Sequence, residues 1–128
     1  MMAERETRQA MTPKELQERT MQFAVRVLKL ADALPKTVSG RTVANQIARS
    51  GCSVAANYRS ALRGKSHADF INKITIVLEE ADETGFWIEL SERAGLLQSK
   101  RLRALRDEAE QLTKIFNATR TTARNRKS

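Results

Sequence analysis

The chain has 128 residues, and 41% of them are hydrophobic, which is enough for one domain with one core. It contains few glycines (5) and prolines (2), which argues against a fold of many short strands joined by turns. Lysine and arginine outnumber aspartate and glutamate 23 to 15, and this net charge of +8, with a pI near 10.3, suggests a polyanionic partner. No stretch approaches the roughly 20 consecutive apolar residues of a membrane span, so no membrane association is expected.

The first predicted helix begins at Thr12-Pro13-Lys14-Glu15, where threonine caps, proline suits the first helical position and glutamate completes a capping box. Its apolar stripe, at steps of three and four, comprises Leu16, Thr20, Phe23, Val27, Leu30 and Leu34. Pro35 ends the helix, because the residue before a proline is disfavoured in the α region.

A second helix is predicted from Ser39-Gly40 to about Arg63. Its apolar stripe comprises Val43, Ile47, Ser50, Val54 and Ala61, with Tyr58 nearby. Beside this stripe runs a row of small residues that includes Gly51. Glycine inside a helix costs about 1 kcal/mol relative to alanine. Gly51 therefore indicates either the close approach of another helix backbone or a local kink.

Two more helices follow. Ser66, with Asp69 three residues later, is predicted to cap the third helix, and Gly95 is predicted to be its left-handed terminating residue. Ser99 is predicted to cap the fourth helix, which carries an apolar pattern as far as Asn117.

Four amphipathic helices joined by short turns predict an all-α protein, an antiparallel up-down-up-down four-helix bundle over residues 12–117. Residues 1–11 are predicted to be a flexible N-terminus. Residues 118–128 contain four basic residues and no acidic one, and are predicted to be a basic disordered tail.

Candidate catalytic groups are few. Cys52 is the only cysteine, which excludes an intramolecular disulfide and fits a reducing, cytoplasmic location. It is expected to be a packed thiol, and His67, the only histidine, a solvated residue in the first turn of a helix. No phosphate-binding loop, Gly-x-Ser-x-Gly elbow or Cys-x-x-Cys pair is present. The chain is therefore predicted to be no enzyme, with no catalytic residue, cofactor or small-molecule substrate.

The third predicted helix contains an acidic cluster, Glu79, Glu80, Asp82 and Glu83. Four-helix bundles can hold di-iron centres, but those use two Glu-x-x-His motifs, and this chain has one histidine. No metal site is predicted. The carboxylates are expected to pair with arginines of the second helix or of a neighbouring subunit.

Positive charge is concentrated in two parts of the chain. Residues 26–65 carry a net charge of +7 and residues 99–128 a net charge of +6, whereas residues 66–98 carry −5. This layout predicts a sequence-independent nucleic-acid interface; the alternative is a set of solvated faces with a solubilising tail. The predicted phosphate contacts are Arg41, Arg49, Arg59, Arg63, Lys65, Lys100, Arg101, Arg103, Arg106, Arg120, Arg124, Arg126 and Lys127.

Two helices carry a second apolar face. Trp87 and Leu90 lie off the main stripe of the third helix, as Val25 and Leu28 do on the first. A second apolar face is typical of an interface, so oligomerisation is predicted. The predicted assembly residues are Glu79, Glu80, Glu83, Trp87 and Leu90.

Three separated segments, Gln46–Tyr58, Ser66–Phe70 and Glu79–Leu90, carry a resemblance to a known family. The chain resembles the bacterial four-helix bundle family, also called the 23S rRNA intervening sequence proteins, over about residues 15–117. One departure is Arg59, because the family often has a glutamate soon after the preceding Ala-Asn pair.

The resemblance implies a homopentamer without a cofactor. The accessory proteins of diversity-generating retroelements are structurally similar; they form basic pentamers that bind a reverse transcriptase and nucleic acid. By this analogy, five copies of a +8 chain would present +40 to RNA or DNA. Two functions stay open: a nucleic-acid-associated scaffold that contacts structured RNA, and a protein–protein adaptor whose basic surface meets an acidic protein.

Overall fold

The computed structural model describes residues 11–126. They form four α-helices: α1 (Pro13–Ala33), α2 (Val38–Leu62), α3 (His67–Arg93) and α4 (Ser99–Asn125). No strand occurs in this part of the chain, so the predicted all-α four-helix bundle is confirmed there. Helix α2 packs against α1 and α3, and α4 packs against α3, while α1 and α4 meet more sparsely.

The start and end of α1 follow the prediction. The Thr12 hydroxyl accepts a hydrogen bond from the Glu15 amide (3.1 Å), and the Glu15 carboxylate accepts one from the Thr12 amide (3.1 Å). This reciprocal capping box satisfies two amides that the first helical turn leaves without partners. The helix ends before Leu34, which is extended and precedes Pro35.

Helix α2 begins earlier than predicted. Its N-cap is Thr37, whose hydroxyl accepts from the Gly40 amide (3.1 Å), and Ser39 already lies inside the helix. A Cβ on Gly40 would lie 1.9 Å from the carbonyl oxygen of Pro35. Gly40 is therefore the residue that lets the turn between α1 and α2 close tightly.

Helix α3 begins and ends as predicted. The Ser66 hydroxyl accepts from the Asp69 amide (3.0 Å), and Gly95 has a left-handed φ of +67°. The amide of Leu96 donates to the carbonyl of Ser91 (3.0 Å), which completes a glycine-terminated helix end. The predicted cap of α4 is wrong, because Ser99 is its first residue and the preceding residue makes no side-chain cap.

The core follows the predicted stripes of α1 and α2, which are buried throughout. Four fully buried hydroxyl residues, Thr20, Ser50, Thr84 and Ser91, interrupt its apolar surface, and two of them meet between helices. The Oγ of Ser50 on α2 and the Oγ1 of Thr84 on α3 lie 2.8 Å apart, and each also lies near a backbone carbonyl of its own helix. The hydrogen-bonding capacity of both groups is thus met inside the bundle.

Gly51 lies where α1 approaches α2 closely, and the nearest atoms of α1 belong to the side chain of Val27. A Cβ added to Gly51 would lie 2.6 Å from Cγ1 of Val27, which is fully buried on α1. The missing Cβ is therefore what accommodates the branched valine between α1 and α2.

The predicted disordered tail is wrong for residues 118–125, because α4 continues to Asn125. Ala123 is buried, and its carbonyl oxygen accepts a hydrogen bond from Nε2 of His67 (2.8 Å) at the start of α3. The hydroxyls of Thr119 and Thr121 bond to carbonyls four residues earlier, which satisfies them within the helix. Lys127 lies outside the described residues.

Within residues 11–126, no helix combines the length and the apolar character needed to cross a membrane.

Candidate nucleic-acid interface

Most of the predicted basic contacts are accessible at the surface of the bundle. In the described part of the chain, none of the following forms a salt bridge with another described residue: Arg41, Arg59, Arg63, Lys65, Lys100, Arg101, Arg103, Arg120, Arg124 and Arg126. All are exposed except Arg120, which is half-buried. Their charge therefore faces solvent.

Two predicted contacts are engaged inside the chain. Arg106 on α4 lies 3.0 Å from a carboxylate oxygen of Glu92 on α3, and 3.7 Å from Glu110 on its own helix. Arg49 on α2 pairs with the acidic cluster of α3. Because these cations already have carboxylate partners, they contribute less to an external anion site than the unpaired set.

Three predicted contacts meet in a groove at the α2–α3 corner, which we call the corner groove. Its volume is about 490 Å³, and its lining includes Arg59 from α2, Arg63 at the C-cap of α2, Lys65 from the connecting turn, and Lys73 with Asp69 from α3. Arg63 follows Arg59 by four residues, at the point where α2 ends. The turn folds α3 back so that Lys73 joins them.

Lys73 was missed by the sequence prediction because it lies in the acidic segment 66–98. Its spacing of four from Asp69 predicts that the two share one face of α3, but no local signal indicates that this face meets the end of α2.

A second basic cleft, of about 180 Å³, lies between α1 and α4. Arg26 and Lys29 of α1 meet the predicted Arg101 of α4 above the side chains of Leu30 and Leu105. The sequence prediction missed both α1 residues because it took the contacts of the +7 segment from α2 alone.

The acidic cluster of α3 pairs with an arginine of α2, as predicted. Nη1 of Arg49 lies 3.0 Å from Oε2 of Glu80, and its Nη2 pairs with Glu83. The indole Nε1 of Trp87 also donates to Oε2 of Glu83 (3.0 Å). That indole bond first, and Arg49 second, hold the pKa of the Glu83 carboxyl below its ordinary value. Glu79 forms no salt bridge with another residue of the described chain.

The second apolar faces are present on α1 and α3. On α1, Met21, Val25 and Leu28 are 43%, 40% and 45% exposed. On α3, Leu90 is exposed, and so is Phe86, which the prediction missed although it lies four residues before Leu90. The predicted Trp87 is half-buried: it packs against the core and stands edge-on to Phe86, with ring centroids 4.9 Å apart.

The described residues contain no group of three histidine, cysteine, aspartate or glutamate side chains suited to hold a metal ion. Cys52 is half-buried in the middle of α2. His67 is not the solvated residue that was predicted, because it is half-buried and bonds to Ala123 of α4. No hydrogen bond joins Cys52 to His67 among the described residues.

The model of one protein family, described as the 23S rRNA-intervening sequence protein, matches residues 14–118. A crystal structure of a protein of unknown function from Bacteroides thetaiotaomicron, assigned to the S23 ribosomal protein family, is similar to this chain with a TM-score of 0.75 and 33% sequence identity. The similarity covers 80% of this chain and 95% of that one. No curated protein matches the chain.

Proposed function

The chain belongs to the 23S rRNA-intervening sequence protein family, and we propose that it is a non-enzymatic, basic, oligomeric scaffold that associates with structured RNA. The observation that carries this proposal is the set of cations gathered in the corner groove and in the cleft between α1 and α4, none of which forms a salt bridge with another residue of 11–126. Such cations are available to phosphates, and each contact releases counterions from the nucleic acid.

The contacts in this proposal are made to the sugar-phosphate backbone. Neither basic cleft has an aromatic residue in its lining, so neither offers a platform on which a base could stack. Binding of this kind depends on salt and carries little sequence preference.

We propose an antiparallel up-down-up-down arrangement of the helices. Two contacts between α3 and α4 support it. The start of α3 meets the end of α4 through His67 and Ala123, and the end of α3 meets the first half of α4 through Glu92 and Arg106.

The assembly is proposed to be a homopentamer, held by the exposed apolar faces of α1 and α3. The acidic residues Glu79, Glu80 and Glu83 border the α3 face and are proposed to assist it. In the cytoplasm, where this assembly is proposed to act, no cofactor or small-molecule substrate takes part.

The experiment is the binding of the full chain to two structured RNAs of unrelated sequence at about 50 mM salt, where non-specific electrostatic binding is strong. Similar affinities for both RNAs are expected. Binding of neither overturns the nucleic-acid proposal. The adaptor function, in which the basic clefts contact an acidic protein, then takes its place, and recovery of a specific protein partner at high salt would identify it.

A further inference from the structure

We propose that the corner groove is the principal site for phosphodiester groups of an RNA backbone, with Arg59, Arg63, Lys65 and Lys73 as its contacts. This inference rests on the proposed function and assigns it to one place on the bundle. It also gives a role to Lys73, which lies in the acidic part of the sequence.

The chemistry of the groove fits a phosphate. The guanidinium groups of Arg59 and Arg63 offer paired N–H donors, which match the oxygens of a phosphate, while the ammonium groups of Lys65 and Lys73 add point charges. The hydroxyl of Ser60 also lines the groove and is a neutral donor. The lining therefore offers both directed hydrogen-bond donors and positive charge to a phosphate.

Few internal groups compete for these cations. Asp69 is the one carboxylate in the lining, and it forms no salt bridge with another described residue. Its Oδ2 instead lies 2.9 Å from the position that a Cβ on Gly64 would take, directly over the turn. Arg19, by contrast, is held by two hydrogen bonds to Glu108 across α1 and α4. The groove therefore keeps a net positive charge, whereas the charge of Arg19 is neutralised by Glu108.

The helix ends at the groove have opposite partial charges. The start of α3 at His67 is partially positive and the end of α2 at Leu62 is partially negative, so the net positive charge of the groove comes from its side chains.

The first test compares two double variants that lose equal charge. Arg59→Gln with Arg63→Gln removes the guanidinium pair of the groove, and Arg41→Gln with Arg103→Gln removes two exposed arginines elsewhere. Affinity for an RNA duplex of about 20 base pairs is measured at about 100 mM salt. The groove variant is expected to bind at least about tenfold more weakly than the control, because charge-assisted hydrogen bonds are lost as well as charge.

The second test raises the affinity. Asp69→Asn removes the one carboxylate of the groove and is expected to tighten RNA binding several-fold. Asp107→Asn, an equal change on the exposed surface of α4, is its control and is expected to have a smaller effect. Thermal unfolding followed by circular dichroism establishes that each variant is folded.

The outcomes separate this inference from the proposed function. If the wild-type chain binds RNA but groove and control variants change affinity equally, the inference is overturned and the scaffold function stands. If the wild-type chain binds no RNA, the proposed function itself has failed and the inference falls with it.

Discussion

Glu83 is stabilised in its ionised form by two groups on different helices. The indole of Trp87 donates to it from the next turn of α3, and Arg49 pairs with it from α2. Both interactions are stronger with the carboxylate than with the neutral acid, so the pKa of Glu83 lies below its ordinary value of 4.5.

A pH dependence of stability follows from the lowered pKa of Glu83. Its contribution is fully present above about pH 4.5, the unfolded value, and is lost as pH falls through the lower folded pKa. Glu83→Gln should therefore lower the free energy of unfolding by about 0.5–1.5 kcal/mol at pH 6, and by less at pH 3. Urea unfolding of both chains at the two pH values measures this. A difference that is the same at both would contradict the assignment.

Gly51 and Gly85 provide a matched pair of helical glycines. Gly51→Ala would place a Cβ 2.6 Å from the buried side chain of Val27, whereas Gly85→Ala meets only Ala109, at 3.8 Å. Overpacking costs about 1–3 kcal/mol, and the gain in helix propensity is about 1 kcal/mol. We expect Gly51→Ala to lower stability and Gly85→Ala to raise it, as measured by chemical denaturation. Stabilisation by Gly51→Ala would show that Val27 moves freely.

At the scale of the helices, the sequence predicts what local spacing determines. The capping box of α1, the serine cap of α3 and the left-handed Gly95 each depend on residues within one turn, and all are confirmed. The predicted start of α2 at Ser39 is too late, because Thr37 and Ser39 are both suitable N-cap residues and the sequence does not distinguish them. The cap is Thr37, since the turn closes on the carbonyl of Pro35.

The end of α4 could not be predicted from composition. Its last turns are polar apart from alanines, and they contact the start of α3 through the buried Ala123, whose carbonyl bonds to His67. The sequence predicts that the acidic cluster of α3 pairs with an arginine of α2, and the structure identifies this arginine as Arg49. Which cations form no salt bridge among the described residues, and that Lys73 lines the corner groove, depend on contacts between helices that local spacing does not determine.

The continuation of α4 makes a truncation informative. Removal of all residues after Asn117 should lower the free energy of unfolding by about 1–2 kcal/mol, because the burial of Ala123 and its bond to His67 are lost. Removal of residues after Arg126 should have little effect and is the control. Urea unfolding followed by circular dichroism compares the three chains. Equal stability of all three would favour a disordered tail.

The whole molecule carries basic clefts at the α2–α3 corner and between α1 and α4, while the acidic cluster of α3 is paired with Arg49. Its exposed apolar side chains lie on α1 and α3. The corner groove contains none of these apolar side chains, whereas Arg26 and Lys29 of the other cleft lie beside Val25 and Leu28 on α1. The corner groove can therefore bind RNA without using residues of the proposed assembly faces.

Light scattering tests the assembly. The proposed pentamer has a mass of about 72 kDa, five times the 14.4 kDa of the chain. Val25→Lys with Leu28→Lys should lower this mass without unfolding the bundle, because charge is placed on an exposed apolar face. Val38→Lys changes a residue that is 83% exposed beside the α1–α2 turn, and should leave the mass unchanged. A wild-type monomer at micromolar concentration would contradict the proposal.

Association with RNA is tested most directly by its salt dependence. The affinity of the full chain for a structured RNA is measured between about 50 and 200 mM salt, and the logarithm of the association constant is plotted against the logarithm of the salt concentration. Three or more phosphate contacts predict a linear fall with a slope steeper than about −2, since each contact contributes roughly −0.7 to −0.9. A slope near zero, or no binding at about 50 mM salt, would contradict the account.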